Sequence, residues 1–532
     1  MPAPLLSPHA TRLLILGLCL VPALAAPGAA WARPGTLRLG LQDAPSTLDP
    51  AIASNVAAIA VSHWLYNGLV TFDEKARIVP ELAERYAVSR DGRVLTFTLR
   101  KGVRFHDGKP LTSSDVAYSL TRLFWPETKS PGSSFYRAIA GSEEVLSGAT
   151  RKLAGLSTPR PDTLVIRLSA PQPTFLQVLG LNYAAVIPEG AGERPGFAQA
   201  PVGTGPFRFG SLVSGQHLEF SRNSRYFKPG LPRLDAISLQ LGVNEQVEAL
   251  RFERGELDAI GLLRGIGAAE YARLARDPRH RDRFINGPDM ATNYVGMNTR
   301  MAPFGDPRVR QAVAMAIDKA KIVRLVNGRG LVARGFLPPG LPGATPEGKT
   351  YPYDPARAKQ LLAEAGYPRG FETTYWCSSA QTSLKIAQAI HHDLSRVGIR
   401  LTLKPLAFPT FLAGVGREGM APIFSGNWSQ DFPDASNFLG TIFSKHAIRP
   451  VRSLNTTFFE DDPTNRLLDR AAVTMGDAER FALYHQAERR VMELAPVVPL
   501  FHSMRCVLAR PEVSGLVLHP VWPVDAERLS VR

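Results

Sequence analysis

The sequence predicts an α/β protein of at least two lobes. The chain has 532 residues, 45% of them apolar, more than one core can use, since single cores stop growing near ~250 to 300 residues. Apolar residues alternate in some segments and recur at helical spacing in others, and from Asn293 onward helix precedes strand. That order points to layered α/β structure.

The first 32 residues read as a secretory signal. Arg12 precedes an apolar run from Leu13 to Ala26, and the small-x-small site Ala30-Trp31-Ala32 comes just before Arg33. The run falls short of the ~20 residues of a membrane span. Cys19 follows Leu18 where a lipid-anchored signal needs a small residue, so the expected product is exported, cut near Ala32 and soluble.

Leu37, Leu39 and Leu41 then alternate as in a half-buried strand. Asp91-Gly92 makes a turn into a strand faced by Leu95, Phe97 and Leu99, and "HDGKP" punctuates before the next element. Thr112 with Asp115 forms a capping box for a helix whose face is Val116, Leu120, Leu123 and Phe124. Leu164, Ile166 and Leu168 mark another strand, and "LEFSRN" and "AISLQLG" read the same way. "GTGP" before "FRF" reads as a tight turn, because a phosphate loop needs free N–H groups opening a helix and Pro206 removes one.

Asp306-Pro307 starts a helix faced by Val309, Val313, Ala316 and Ile317, and Asp354-Pro355 repeats the device up to Gly366. A helix ending at Gly398 leads into a strand through Ile399, Leu401 and Leu403, and "DAERFALYHQAERRVMELAPVVPLF" supplies a last helix and strand. "NWSQDFPDASNFL", Asn427 to Leu439, reads by itself as a strand running into a turn, with Asp431 and Asp434 as ordinary turn formers.

Several function classes are disfavoured. The formal charge of +15, or +14 without residues 1–32, comes from scattered arginines with no basic run or basic helix, which argues against a nucleic-acid partner. No H-E-x-x-H helix, G-x-S-x-G elbow or phosphate-binding loop occurs, so neither an enzyme nor a cofactor is expected. His106 and Asp107 read as parts of a hairpin turn, and His391 and His392 point about 100° apart on a helix, too far round to share a metal. Cys377 and Cys506 remain after processing, and their spacing leaves pairing open.

Six segments in order resemble the family 5 extracytoplasmic solute-binding proteins of ABC transporters, the dipeptide, oligopeptide and nickel-binding group. They are "LDPAIASN", "LTFTLRKGVRFHDGKPLTSSDVAYSL", "PVGTGPFRF", "VGMNTRMAPFGDPRVRQAVAMAIDK", "YDPARAKQLLAEAGYP" and "NWSQDFPDASNFL". The resemblance implies a two-lobed periplasmic-binding-protein fold, type II-like, a hinged clamp with an extra subdomain inserted in the N-terminal lobe. Lobe I would comprise 33–72, 200–288 and 508–532, the insertion 73–199, and lobe II 289–507. A monomer would close on its solute, a di- or oligopeptide, in the periplasm and pass it to the membrane permease.

In peptide-binding relatives an aspartate three residues after a tryptophan faces the ligand ammonium. Trp428-Ser429-Gln430-Asp431 fits that pattern, which implies Asp431 as the charge partner and Ser425–Ser429, with Gly426, Asn427, Trp428 and Ser429, as the segment that pairs with the peptide backbone. Ser54, Asn55 and Val56 stand where the opposing lobe meets ligand, and Lys385 near where dipeptide binders place the arginine for the carboxylate. Other solutes on the same fold, a nickel chelate, opine, haem or sugar, stay open. A secreted hydrolase is the alternative of another class.

Overall fold

The structure, a computed structural model, describes residues 35–345 and 350–532. The expected signal segment, with Arg12, Cys19 and the site at Ala32, lies outside the described residues.

Lobe I is built on a four-stranded sheet in which Thr36–Leu41 runs parallel to Ala236–Leu241, followed by antiparallel His217–Arg222 and Phe207–Val213. Leu37, Leu39 and Leu41 are buried against Trp64 and its neighbours on helix Val56–Leu65, as their alternation predicts. The Trp64 indole donates to the Val524 carbonyl at 3.1 Å, and Ala526 and Leu529 join the same core. Segments nearly 500 residues apart thus close one apolar unit.

A second four-stranded sheet, Ala83–Val88, Val94–Leu99, Thr163–Arg167 and Leu156–Arg160, is wholly antiparallel. Leu95, Phe97 and Leu99 pack with Leu164 and Ile166 under helix Ser113–Arg122, where Asp115 accepts from the Thr112 backbone N–H at 2.8 Å as the capping box requires. The "GTGP" segment is a structural turn. A side chain at Gly203 would lie 2.1 Å from the Leu65 carbonyl, and His106 clasps the turn, accepting from Gly203 N–H and donating to the Gly205 carbonyl.

Lobe II centres on a seven-stranded mixed sheet. Along its strands successive residues enter different cores: Val295, Tyr375 and Ile423 face helices Pro307–Ala316, Pro355–Glu364 and Gln381–Ser395, whereas Tyr294, Trp376 and Phe424 face helices Phe408–Val415, Ala435–Phe443 and Asp477–Leu494. The alternation of a pleated strand between two helical layers accounts for this division. Cys377 and Cys506 are both buried and free.

Two long antiparallel strands, Phe284–Met297 and Val497–Ala509, run from the lobe II sheet toward lobe I, where Ala509 and Leu508 pair with Ala259 and Ile260. Their register breaks between Pro288 and Thr292 and again between Asn293 and Tyr294. The lobe limits expected at 288/289 and 507/508 fall inside these strands.

Candidate ligand-binding cleft

Strand Ile423–Ser429 pairs with Phe284–Met297 from Met297↔Ile423 to Ala291↔Ser429. On its other side Glu372–Ser378 reaches only Ile423 and Phe424 before the chain turns into helix Gln381–Ser395. Among the described residues, the edge from Ser425 to Ser429 therefore has no strand partner. Such an edge offers unpaired backbone groups to an extended chain.

Beside that edge lies a cavity of about 750 Å³ lined only by lobe II residues. Gly426, Asn427 and Trp428 form one wall, helix Phe408–Val415 another, and the turn Arg452–Leu454 closes the rim. Gly426 is required by a close approach: a Cβ there would lie 2.1 Å from Cε2 of Tyr294, its cross-strand partner. The Asn427 amide donates to Asn293 Oδ1 at 3.2 Å, which fixes its side chain along the sheet.

Asp431 follows the open edge at the junction of the lobes. The residue before it, Gln430, donates from its side chain to the Pro520 carbonyl of the C-terminal tail, and the residue after it, Phe432, is buried in the core of the inserted subdomain, edge-on to Phe135. Asp431 accepts from Asn437 Nδ2 at 3.0 Å while its own N–H donates to Asn437 Oδ1 at 2.8 Å, and no cation pairs with it among the described residues. The residue is exposed and lies outside the cavity lining, yet surrounding protein strips enough water from its carboxyl to raise the pKa, with the Asn437 bond only partly offsetting this. Tyr183 of the inserted subdomain feels that charge, its phenol pushed up first by burial and then by Asp431.

Asp434 does a different job. It caps helix Ala435–Phe443, accepting from Ser436 N–H at 2.9 Å, and forms a fully buried ion pair with Arg480, whose Nη1 lies 2.8 Å from both carboxylate oxygens. This pair anchors the turn that carries Asp431.

The structure thus brings Gly426, Asn427 and Trp428 to the cavity, with Ser429 and Asp431 further along the same chain. Ser54 and Val56 are exposed on lobe I and outside the cavity lining, and the Asn55 side chain is spent capping its helix through Ala58 N–H at 2.8 Å. Lys385 is exposed and also outside the lining, although Thr382, Ser383 and Ile386 of its helix belong to it. Sequence reasoning missed Phe408, Leu412, Arg452 and Asn437. One signal was present for the first two: Ala407 to Gly416 contains no charged residue, so the face this helix leaves exposed is an apolar one.

Among the described residues, one group of possible metal ligands, Glu253, Asp277 and His280, occurs on lobe I, where Arg273 and Arg279 already hold the two carboxylates. None of the three lines the cavity.

The description "Bacterial extracellular solute-binding proteins, family 5 Middle" matches residues 77–449. The chain is 29% identical over 463 residues to the glutathione-binding protein GsiB of Escherichia coli (strain K12), covering 86% of each. It is 30% identical over 500 residues to heme-binding protein A of Haemophilus influenzae, covering 90% of this chain and 89% of that one. Among solved structures it superposes on the clavulanic acid biosynthesis oligopeptide binding protein 2 with a TM-score of 0.87 and 28% identity, over 94% of this chain and 96% of that one. The structural likeness extends through both lobes and the insertion, so the fold is the two-lobed periplasmic-binding-protein clamp. The chain belongs to family 5 of the bacterial extracellular solute-binding proteins, the solute-binding components of ABC transporters.

Proposed function

We propose that this protein captures a di- or oligopeptide between its lobes in the periplasm and delivers it to an ABC permease, acting as a monomer without catalysis. The observation that carries the reading is the open strand edge Ser425–Ser429 followed, three residues after Trp428, by Asp431, a carboxylate with no cationic partner among the described residues. A peptide backbone satisfies the edge and its α-ammonium satisfies the carboxylate. Both pairings matter, because buried polar groups without partners are costly. The similarity to proteins named for oligopeptide and glutathione binding supports a peptide-like solute.

In the resemblance, Ser54, Asn55 and Val56 of lobe I close over the ligand. For Asn55 this role falls to its backbone, since its side chain caps the helix. Export requires the signal at 1–32 to act as the sequence suggests.

Isothermal titration calorimetry with a short-peptide panel tests this reading. Asp431→Asn should weaken the best peptide by about 1.5 to 3 kcal/mol, roughly 10- to 150-fold in Kd. Equal affinity in wild type and variant would remove Asp431 from the site.

A further inference from the structure

Among the residues lining the cavity there is no aspartate, glutamate or lysine, and a single arginine, Arg452. The rest of the wall is dominated by apolar side chains. Phe408 is 59% exposed and Leu412, one helical turn on, 49% exposed, while Leu454 across the rim is 51% exposed. Large apolar groups left open to water around one concavity mark a binding surface rather than a core.

Arg452 is held there at some cost. Its φ of +55° is an uncommon conformation for a residue with a side chain, and it is pinned by Ser453, whose N–H donates to the Gly416 carbonyl at 2.9 Å. Arg452 is exposed, and among the described residues its guanidinium makes no hydrogen bond or ion pair, whereas Arg300, Arg357 and Arg490 of lobe II are each paired with carboxylates. A guanidinium without a carboxylate partner at the rim of an apolar cavity matches a ligand carboxylate, which it can hold through two parallel bonds. It also disfavours a cationic group in the same cavity.

We infer that the lobe II cavity selects solutes with a bulky apolar group and a free carboxylate, the apolar group lying against Phe408, Phe411, Leu412 and Leu454 and the carboxylate on Arg452. The assignment deepens the peptide reading and rests on it for the ammonium at Asp431. It gives Arg452 the role that the resemblance implies for Lys385. The cavity volume of about 750 Å³ lies within the ~300 to 1,000 Å³ range of small-molecule sites.

Titration calorimetry on the purified full mature chain decides it, using Ala-Phe, Ala-Ser, the C-terminal amide of Ala-Phe, and 4-phenylbutyrate with its amide. Ala-Phe should bind about tenfold or more tighter than Ala-Ser, and amidation should weaken Ala-Phe about tenfold or more in wild type but less than about twofold in Arg452→Gln. Arg452→Lys, which keeps the charge without the fork, should fall between. Equal binding of Ala-Phe and Ala-Ser, an amidation penalty that persists in Arg452→Gln, or one that vanishes in Lys385→Gln instead would overturn the inference and leave the peptide reading intact. Binding of 4-phenylbutyrate but no peptide, with loss in Arg452→Gln, would support the cavity assignment and end the peptide reading. Binding of none of these probes would overturn both.

Discussion

Replacing Arg480 by methionine isolates the buried ion pair that anchors the Asp431 turn. The Asp434 side chain is 0% exposed and that of Arg480 1% exposed. Arg480 also spans to Asp477 at 2.8 Å. Arg480→Met keeps much of the volume over the Phe481 ring but leaves the Asp434 carboxylate buried without its cation, a loss of about 3 to 5 kcal/mol. The second member of the cycle distinguishes an uncompensated charge from lost packing. In Asp434→Ala/Arg480→Met no buried charge remains, and the main residual loss is the helix cap, about 1 kcal/mol. The double variant should therefore be more stable than the single Arg480→Met. Urea unfolding followed by circular dichroism reads both. A loss under about 1 kcal/mol for Arg480→Met, or a double variant less stable than the single, would refute the claim that the pair holds this turn through its charge.

Gly426→Ala places a methyl 2.1 Å from the Tyr294 ring. The ring must shift within the cavity wall, so about 1 to 3 kcal/mol of stability should be lost, and thermal unfolding with a Tm equal to wild type would contradict it. Peptide affinity should fall on acidification at a pH above the ordinary aspartate range, because the raised pKa of free Asp431 lets it protonate early and lose its hold on an ammonium. Calorimetry against pH should show that limb in wild type and not in Asp431→Asn. Burial holds the rings of His63, His106, His502 and His519 neutral down to about 4, whereas the unfolded chain protonates them near 6.5. The unfolded state then binds more protons between these values, so their stabilisation is complete above 6.5 and is lost as pH falls toward 4, about 3 kcal/mol for an isolated ring. Glu248, raised to about 7, acts in the opposite direction as pH falls from 7 to its ordinary value. Buried Glu81, Asp289, Asp431, Glu488 and Asp525, also raised, act the same way as Glu248, so the histidine contribution is read by difference: His502→Gln should lose less stability than wild type between pH 7.5 and 4.5 in urea unfolding, and an equal loss would show the sign to be wrong.

What the sequence revealed and what it hid divide by the range of the interaction. Asp306, Asp354 and Asp115 act within four residues, and each caps the helix expected of it. The alternation of Leu37, Leu39 and Leu41 reports burial on one sheet face and needs no knowledge of the partner strand. The cavity is another matter. It exists because Glu372–Ser378 leaves its neighbour after Phe424 and because a turn at Arg452 returns to the end of helix Phe408–Val415. Neither event has a local pattern. Asn55 shows the reverse case: the resemblance places it at the ligand, whereas its position one residue before the helix makes its side chain the N-cap.

In the proposed site, the placement of Asp431 couples solute capture to lobe contact. Its two chain neighbours, Gln430 and Phe432, grip the C-terminal tail and the inserted subdomain, while the strand before it belongs to lobe II. An ammonium drawn to Asp431 in the proposed site therefore meets a carboxylate whose position is set by both lobes. Its hold is strongest when the lobes meet, because approach of Tyr183 and Phe135 lowers the local dielectric around the pair. A ligand shifts a conformational equilibrium only by its differential affinity for the two states. Removing the charge at Asp431 should thus cost affinity and also the preference for the closed arrangement, so a peptide that still binds Asp431→Asn should compact it less. Small-angle scattering of wild type and variant at saturating peptide checks this, and equal contraction on binding would place the closing force elsewhere in the cleft.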